Sequence, residues 1–326
     1  MDKKVRILIG GGAGYIGSKL IPELIEHGYY VSVIDLCWFG NYLPEDVTVI
    51  KKDLFDCNRE DFRGFDQFIF LAGLSNDPMA EFSPSKNFIY NAALPAYLAF
   101  ECKQVGVKRF IYASSCSIYG YTVDELYDEE SPVACLYPYG ISKLQGEEGS
   151  LRFADDKFSV VALRQGTVSG HSPRMRFDLV VNTMFKFART EHKITVNNPS
   201  IWRPILDIRD AVSAYLRAIQ ADYSISGAYN IASGNYTVGQ IGDLVKQELG
   251  KIYDEKIVLT LKNIQDFRNY KVTFDKAKTK LGFQPQYDIK DTVLDLYNHV
   301  KEYGDLNDDK YYNIKVITKL INKEEE

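Results

Sequence analysis

The stretch VRILIGGGAGYIGSKLIPELIEHG, residues 5–28, decides the fold. Its first five residues form an apolar run of strand length that enters a cluster of glycines without a break. Ile16, Leu20, Leu24 and Ile25 then fall at helical spacing until Gly28, a natural helix stop. Pro22 costs that helix one backbone bond. Two glycine registers coexist, Gly12-x-Gly14-x-x-Gly17 and Gly11-x-x-Gly14-x-x-Gly17. Strand, glycine turn and helix in that order let a pyrophosphate approach backbone N–H groups at the positive end of a helix. An unliganded strand-to-helix turn uses the same residues, so the next strand discriminates. It ends VSVIDL and places Asp35 18 residues after Gly17, where a carboxylate can accept bonds from an adenosine ribose. Leu36, Cys37 and Trp38 offer no arginine to a 2′-phosphate. The expected cofactor is therefore NAD rather than NADP. Asp53, in KKDL at the end of the third strand, reads either as a solvated loop acid or, with its apolar neighbour, as a flank of the adenine.

Working outward, short β-branched runs at 5–9, 31–34, 47–50, 67–71, 109–113 and 159–163 alternate with amphipathic stretches, the longest at 87–105 and 139–153. That alternation predicts an α/β fold, a Rossmann-type doubly wound parallel sheet. After about Val168 it dissolves into loops and shorter helices at 178–189 and 208–221, read as a smaller mixed α/β substrate domain. The expected division is 1–168, 169–303 with room for strands returned to the first unit, and a charged, peripheral tail at 304–326. Composition agrees with a folded chain: of 326 residues 45% are hydrophobic, 25% charged and 13% aromatic. A net charge of -5 provides no field for nucleic acid, so phosphate must be held locally. Five cysteines without CxxC spacing and four scattered histidines point to no metal and to a reducing cytoplasm. Without a signal segment or an apolar run of membrane length, no membrane association is expected.

A Tyr four residues before a Lys shares a helix face with it. Tyr15/Lys19, Tyr139/Lys143, Tyr297/Lys301 and Tyr311/Lys315 all satisfy the spacing. Tyr139/Lys143 differs because it opens a helix after Pro138 and follows a strand whose end carries Ser114, Ser115 and Ser117. A phenol titrates near ~10, so a neighbouring ammonium and a positive nicotinamide are needed to make Tyr139 a base for an alcohol proton. Ser115 then hydrogen-bonds the oxygen as it becomes a carbonyl.

With these residues the chain resembles the extended short-chain dehydrogenase/reductase superfamily, specifically its NAD-dependent epimerase/dehydratase family acting on nucleotide sugars. The carriers are GGAGYIGS, the Asp35 strand end, KKDL, LAGLSND, Asn91, YASSCSIYG, YPYGISK, WRPILDIRD and FDKAKTKLGF. The resemblance implies that Gly11, Gly14, Tyr15, Ile16 and Gly17 meet the pyrophosphate and that Asp35 and Leu36 meet the ribose. It sets Asp53 and Leu54 at the adenine, and Leu71, Ala72, Gly73, Asn91 and Ser114 along the cofactor. Ser115, Tyr139 and Lys143 are its catalytic set. A nucleotide-diphosphate sugar is the implied substrate, met by Asn76, Ser117, Thr167, His171, Arg174, Arg176, Leu179, Arg203 and Arg268. The chain departs from the pattern in two places. Dehydratases carry Asp-Glu where this chain has Cys116 and Ser117, and the usual Tyr-Gly-Pro loop here reads Ser169, Gly170 and His171. Hydride transfer at C4 in a 4-epimerase is favoured, with a 4-dehydrogenase or 4-ketoreductase as the alternative. A 4,6-dehydratase, a 3,5-epimerase using Cys116 or His171, and a non-catalytic binding module rank lower. The long helices at 87–105 and 139–153 imply a homodimer.

Overall fold

A computed structural model of the chain describes residues 4–253, 256–264 and 268–324. At its centre lies a seven-stranded parallel sheet of β1 (Arg6–Gly10), β2 (Tyr30–Ile34), β3 (Thr48–Ile50), β4 (Gln67–Phe70), β5 (Arg109–Ser115), β6 (Ser159–Gln165) and β7 (Gly227–Ile231), in the order β7-β6-β5-β4-β1-β2-β3. Chain order reverses between β1 and β4, and a sheet of this kind opens a ligand crevice at the carboxyl ends beside that switch. The central strands are buried along their length because helices cover both faces. One layer sets Leu20, Ile21 and Leu24 of the first helix and Tyr215 and Ile219 of helix Ile208–Gln220 against Ile9, Ile69, Ile111 and Val161. The other sets Leu94, Leu98 and Cys102 against Phe68, Phe110 and Tyr112. Arg109, fully buried, donates to the carbonyls of Ala218, Ile219, Ala221 and Asp222 and so caps the end of helix Ile208–Gln220.

The remaining strands form small sheets over the carboxyl edge. Thr167–Ser169, Trp202–Asp207 and Gly234–Thr237 form one, Lys193–Asn197 with Val258–Lys262 a second, and Tyr121–Tyr127 with Asn269–Val272 a third. The helix expected over 87–105 is broken into Pro84–Phe88, a π-helical turn at Ile89–Ala93 and Leu94–Gln104. Pro95 causes the break: it has no N–H for the Asn91 carbonyl, which accepts instead from the Tyr112 hydroxyl at 2.8 Å.

The expected peripheral tail is a correction. Leu306 and Tyr311 of residues 304–326 are buried in the second core with Tyr303, Phe177 and Met184, and Ile317 of helix Asn313–Glu324 packs on Leu74 and Met79. Apolar side chains spaced among Asp and Lys anchor the segment despite its charge. Residues 325 and 326 lie outside the described residues. No helix among the described residues is long and apolar enough to cross a membrane, and no group of potential metal ligands occurs among them.

Candidate active site

A single cavity of about 660 Å³ runs along the carboxyl edge of the sheet, from Asp35 and Asp53 past the glycine loop to Tyr139, Arg203 and Arg268. Gly11, at φ +81°, lies so close to the next turn that a Cβ there would sit 2.6 Å from the Ala72 nitrogen. Only glycine permits that approach. A Cβ on Gly14 would meet nothing within 4 Å except the Gly11 carbonyl, so a side chain there would intrude on the open space. Asp35 directly follows β2 and accepts from the Ala13 N–H at 2.9 Å and the Cys37 N–H at 2.7 Å. Burial raises its carboxyl above the ordinary value, and these bonds oppose the shift. Each oxygen keeps a lone pair for a further donor. Asp53 caps the short turn Leu54–Asp56 through the Phe55 N–H and accepts from the Tyr90 hydroxyl at 2.6 Å. Glycine cradle, helix N-terminus and strand-end carboxylate together fit a dinucleotide.

At the other end Ser115, Tyr139 and Lys143 meet. Lys143, on helix Pro138–Leu151, donates to the Ala113 carbonyl at 2.9 Å, and its Nζ lies 5.9 Å from the centre of the Tyr139 ring. Burial pushes its ammonium down to about 7. Ser115 accepts from the Ser117 hydroxyl at 2.9 Å. Burial and the Asp77 carboxylate push the Tyr139 phenol above its ordinary value, while a hydrogen bond with Ser115 and the charge of Arg176 oppose them. The direction is opposite to the expected activation, because burial is the largest effect on the phenol. Beneath the set, Glu147 joins strand to helix. It accepts from Ser114 at 2.5 Å and forms a bidentate pair with Arg164 at 2.7–3.1 Å, and Arg164 also donates to the Tyr119 hydroxyl.

Of the residues singled out in the sequence, Asn91 and His171 do not line the cavity. Asn91 sits behind it and donates to the Leu74 carbonyl and Asn87, with its Oδ1 where a Cβ on Gly73 would fall. The π-helical turn carries it to that supporting position. His171 is drawn away by aromatic packing: it stacks on His299 at 3.7 Å and meets the Tyr303 hydroxyl. Burial and His299 push it down to about 3, a poor base for catalysis. Cys116 is buried and donates to the Arg164 carbonyl. Tyr15 is buried, and its hydroxyl donates to the Gly170 carbonyl at 2.6 Å and accepts from Asn182. Among the arginines, Arg176 pairs with Asp178 at 2.8 Å, Arg268 pairs with Asp77 at 2.6 Å, and Arg203 lies over the Tyr270 ring. Thr167 and Leu179 line the same end. Asn76 caps helix Asp77–Phe82 through the Met79 N–H. Several lining residues had no signal in the sequence. Phe39 lies just beyond Trp38, and Asn313 comes from the distant final helix.

Comparison with known proteins places this geometry. The family described as the NAD dependent epimerase/dehydratase family matches residues 7–232. The UDP-glucose 4-epimerase of Bacillus subtilis is 25% identical over 279 residues, covering 75% of this chain and 82% of its own. The solved UDP-glucose 4-epimerase of Thermotoga maritima, with UDP-glucose, is 25% identical with a TM-score of 0.80, covering 91% of this chain and 99% of its own. MoeE5 in complex with UDP-glucuronic acid and NAD is also 25% identical, with a TM-score of 0.79 and the same coverage. The family match spans more than half of the residues, and the chain belongs to the NAD dependent epimerase/dehydratase family.

Proposed function

We propose that the protein is a nucleotide-sugar 4-epimerase that inverts C4 of a UDP-sugar through a 4-keto intermediate. The observation carrying this reading is the convergence of Ser115, Tyr139 and Lys143 on the cavity that also contains the glycine loop and Asp35. NAD, when bound there, supplies the acceptor of the C4 hydride and its donor on the return. Tyr139 takes the proton of the C4 hydroxyl and gives it back. Ser115 donates to the same oxygen while it is a carbonyl. Lys143, anchored on the Ala113 carbonyl, stabilises the phenolate through its charge. Arg203 and Arg268 stand where a sugar nucleotide's diphosphate can meet guanidinium groups. Uracil is carried over from the relatives, which bear UDP-glucose in their names. Cys116, buried in the turn after β5 and not lining the cavity, supplies no group to remove a ring proton.

The enzyme is further proposed to act as a homodimer. Ile89, Tyr97 and Phe100 remain exposed at 40%, 44% and 37% beside helix Pro138–Leu151, an apolar face of the kind that pairs with a second copy.

The test is incubation with UDP-sugars in D₂O, followed by NMR. Epimers at C4 without solvent deuterium are expected, and Tyr139→Phe should lower turnover by about 10²–10⁴-fold with NAD binding intact. Accumulated 4-ketone with bound NADH would replace the epimerase by a dehydrogenase, and deuterium at C3 or C5 would overturn single-carbon chemistry.

A further inference from the structure

Arg174 differs from the other arginines of the cavity. It is 2% exposed, yet it forms no ion pair among the described residues and its Nε has no hydrogen-bond partner. Its contacts are the Phe39 ring, 3.9 Å from the guanidinium carbon, and the Asn313 side-chain oxygen, which accepts from its Nη2. A buried cation without a carboxylate is costly to the folded state, and an anion entering the cavity relieves that cost.

Location selects the anion. The segment 170–174 is bolted to the start of the glycine-loop helix: Tyr15 donates to the Gly170 carbonyl, Ser172 Oγ donates to the Tyr15 carbonyl at 2.7 Å, and the Arg174 N–H reaches Ser18 Oγ at 3.3 Å. Phe39, under the guanidinium, lies just beyond Asp35, whose own charge feels Arg174. These contacts belong to the dinucleotide end of the cavity, and the Arg176–Asp178 pair also acts on Arg174, with Asp178 accepting from the Asn313 N–H at 3.4 Å. We propose that Arg174 grips the diphosphate of the bound dinucleotide, not that of the sugar nucleotide, and that Asn313 of the final helix is its positioning residue. The proposal rests on the reading of NAD as cofactor. It also moves Arg174 out of the substrate set in which the sequence placed it. Asn313 is fixed for this role by donating to Ser75 Oγ at 2.9 Å, so the final helix closes over the cofactor end of the crevice.

The experiment is calorimetric titration of the full chain, stripped of nucleotide, with ADP-ribose and separately with UDP. A charged hydrogen bond removed from a phosphate predicts that Arg174→Gln raises the ADP-ribose Kd by about 10- to 100-fold and leaves the UDP Kd within about twofold. Arg174→Lys should fall between. Asn313→Ala should raise the ADP-ribose Kd by about 3- to 10-fold, again without moving UDP, a selectivity that general loosening of the fold would not give. Loss of UDP affinity in Arg174→Gln, alone or together with ADP-ribose, would overturn the assignment, as would unchanged ADP-ribose binding. Should Arg174→Gln fail to fold, the Asn313→Ala ratio decides. Wild-type protein that binds neither ADP-ribose nor NAD would instead overturn the cofactor reading.

Discussion

Replacing Glu147 by Gln removes one charge from the pair that ties strand β6 to helix Pro138–Leu151. Glu147 is 1% exposed and Arg164 7%, and the two share three contacts of 2.7–3.1 Å. The amide keeps the shape but cannot balance the guanidinium, whose remaining partners are the Tyr119 hydroxyl and the Glu129 carbonyl. Breaking a buried pair from one side costs about 3–5 kcal/mol, because the other charge stays buried. With an unfolding entropy of about 2.1 cal/mol/K per residue, a chain of this length should lose roughly 4–7 °C in Tm. Removing both charges in Glu147→Met/Arg164→Met should recover much of that loss, since the desolvation cost disappears with the pair. Calorimetric scans of the three proteins without cofactor give the answer. An unchanged Tm for Glu147→Gln, or a double variant less stable than the single, would refute the claim that the pair is held as two buried charges.

Three further outcomes follow from the site. Asp35→Ala should raise the NAD Kd by about 10-fold or more, because a charged acceptor for the ribose is lost, and should narrow the preference over NADP. Equal affinities for both cofactors in the unaltered protein would contradict it. Lys143 has its ammonium pushed down by burial to about 7 from 10.5. The unfolded chain therefore binds the extra proton between those values, and folding stability contributed by this group rises with pH across that window. Lys143→Met should consequently stabilise the cofactor-free protein more at pH 6 than at pH 10, as measured by Tm, and a pH-independent difference would refute the shift. Sedimentation should give a species of about twice 37.2 kDa, and Tyr97→Glu with Phe100→Glu should halve it; a wild-type monomer at micromolar concentration would remove the dimer.

Much of this was legible in the sequence because single residues carry strong constraints. Gly11 is needed for close backbone approach, Asp35 directly follows the strand Tyr30–Ile34, and the Tyr139/Lys143 spacing puts both on one helical face next to a serine-rich strand end. Side-chain direction was not legible. The orientation of Asn91 depends on a π-helical turn set by Pro95, and that of His171 on the stack with His299, a residue far along the chain. The final segment was misjudged because its charges outnumber its apolar residues. Leu306, Tyr311 and Ile317 are too widely spaced to make a strong periodic signal, yet each finds a place in a core built by other parts of the chain. Arg174 and Asn313 are brought together over a long separation that no local pattern encodes.

The outer strand β7 joins the sheet only after the chain has left it to build much of the substrate side, for Gly227–Ile231 pairs along Ser159–Gln165. Neither half is therefore a contiguous cassette. A fragment ending near residue 168 would present β6 with an unpaired edge and with the apolar face beneath helix Ile208–Gln220 uncovered, an invitation to intermolecular pairing. Grafting a different substrate pocket onto this dinucleotide half would require two splice points, one on each side of Ile208–Ile231, with that strand and its covering helix kept as parental sequence.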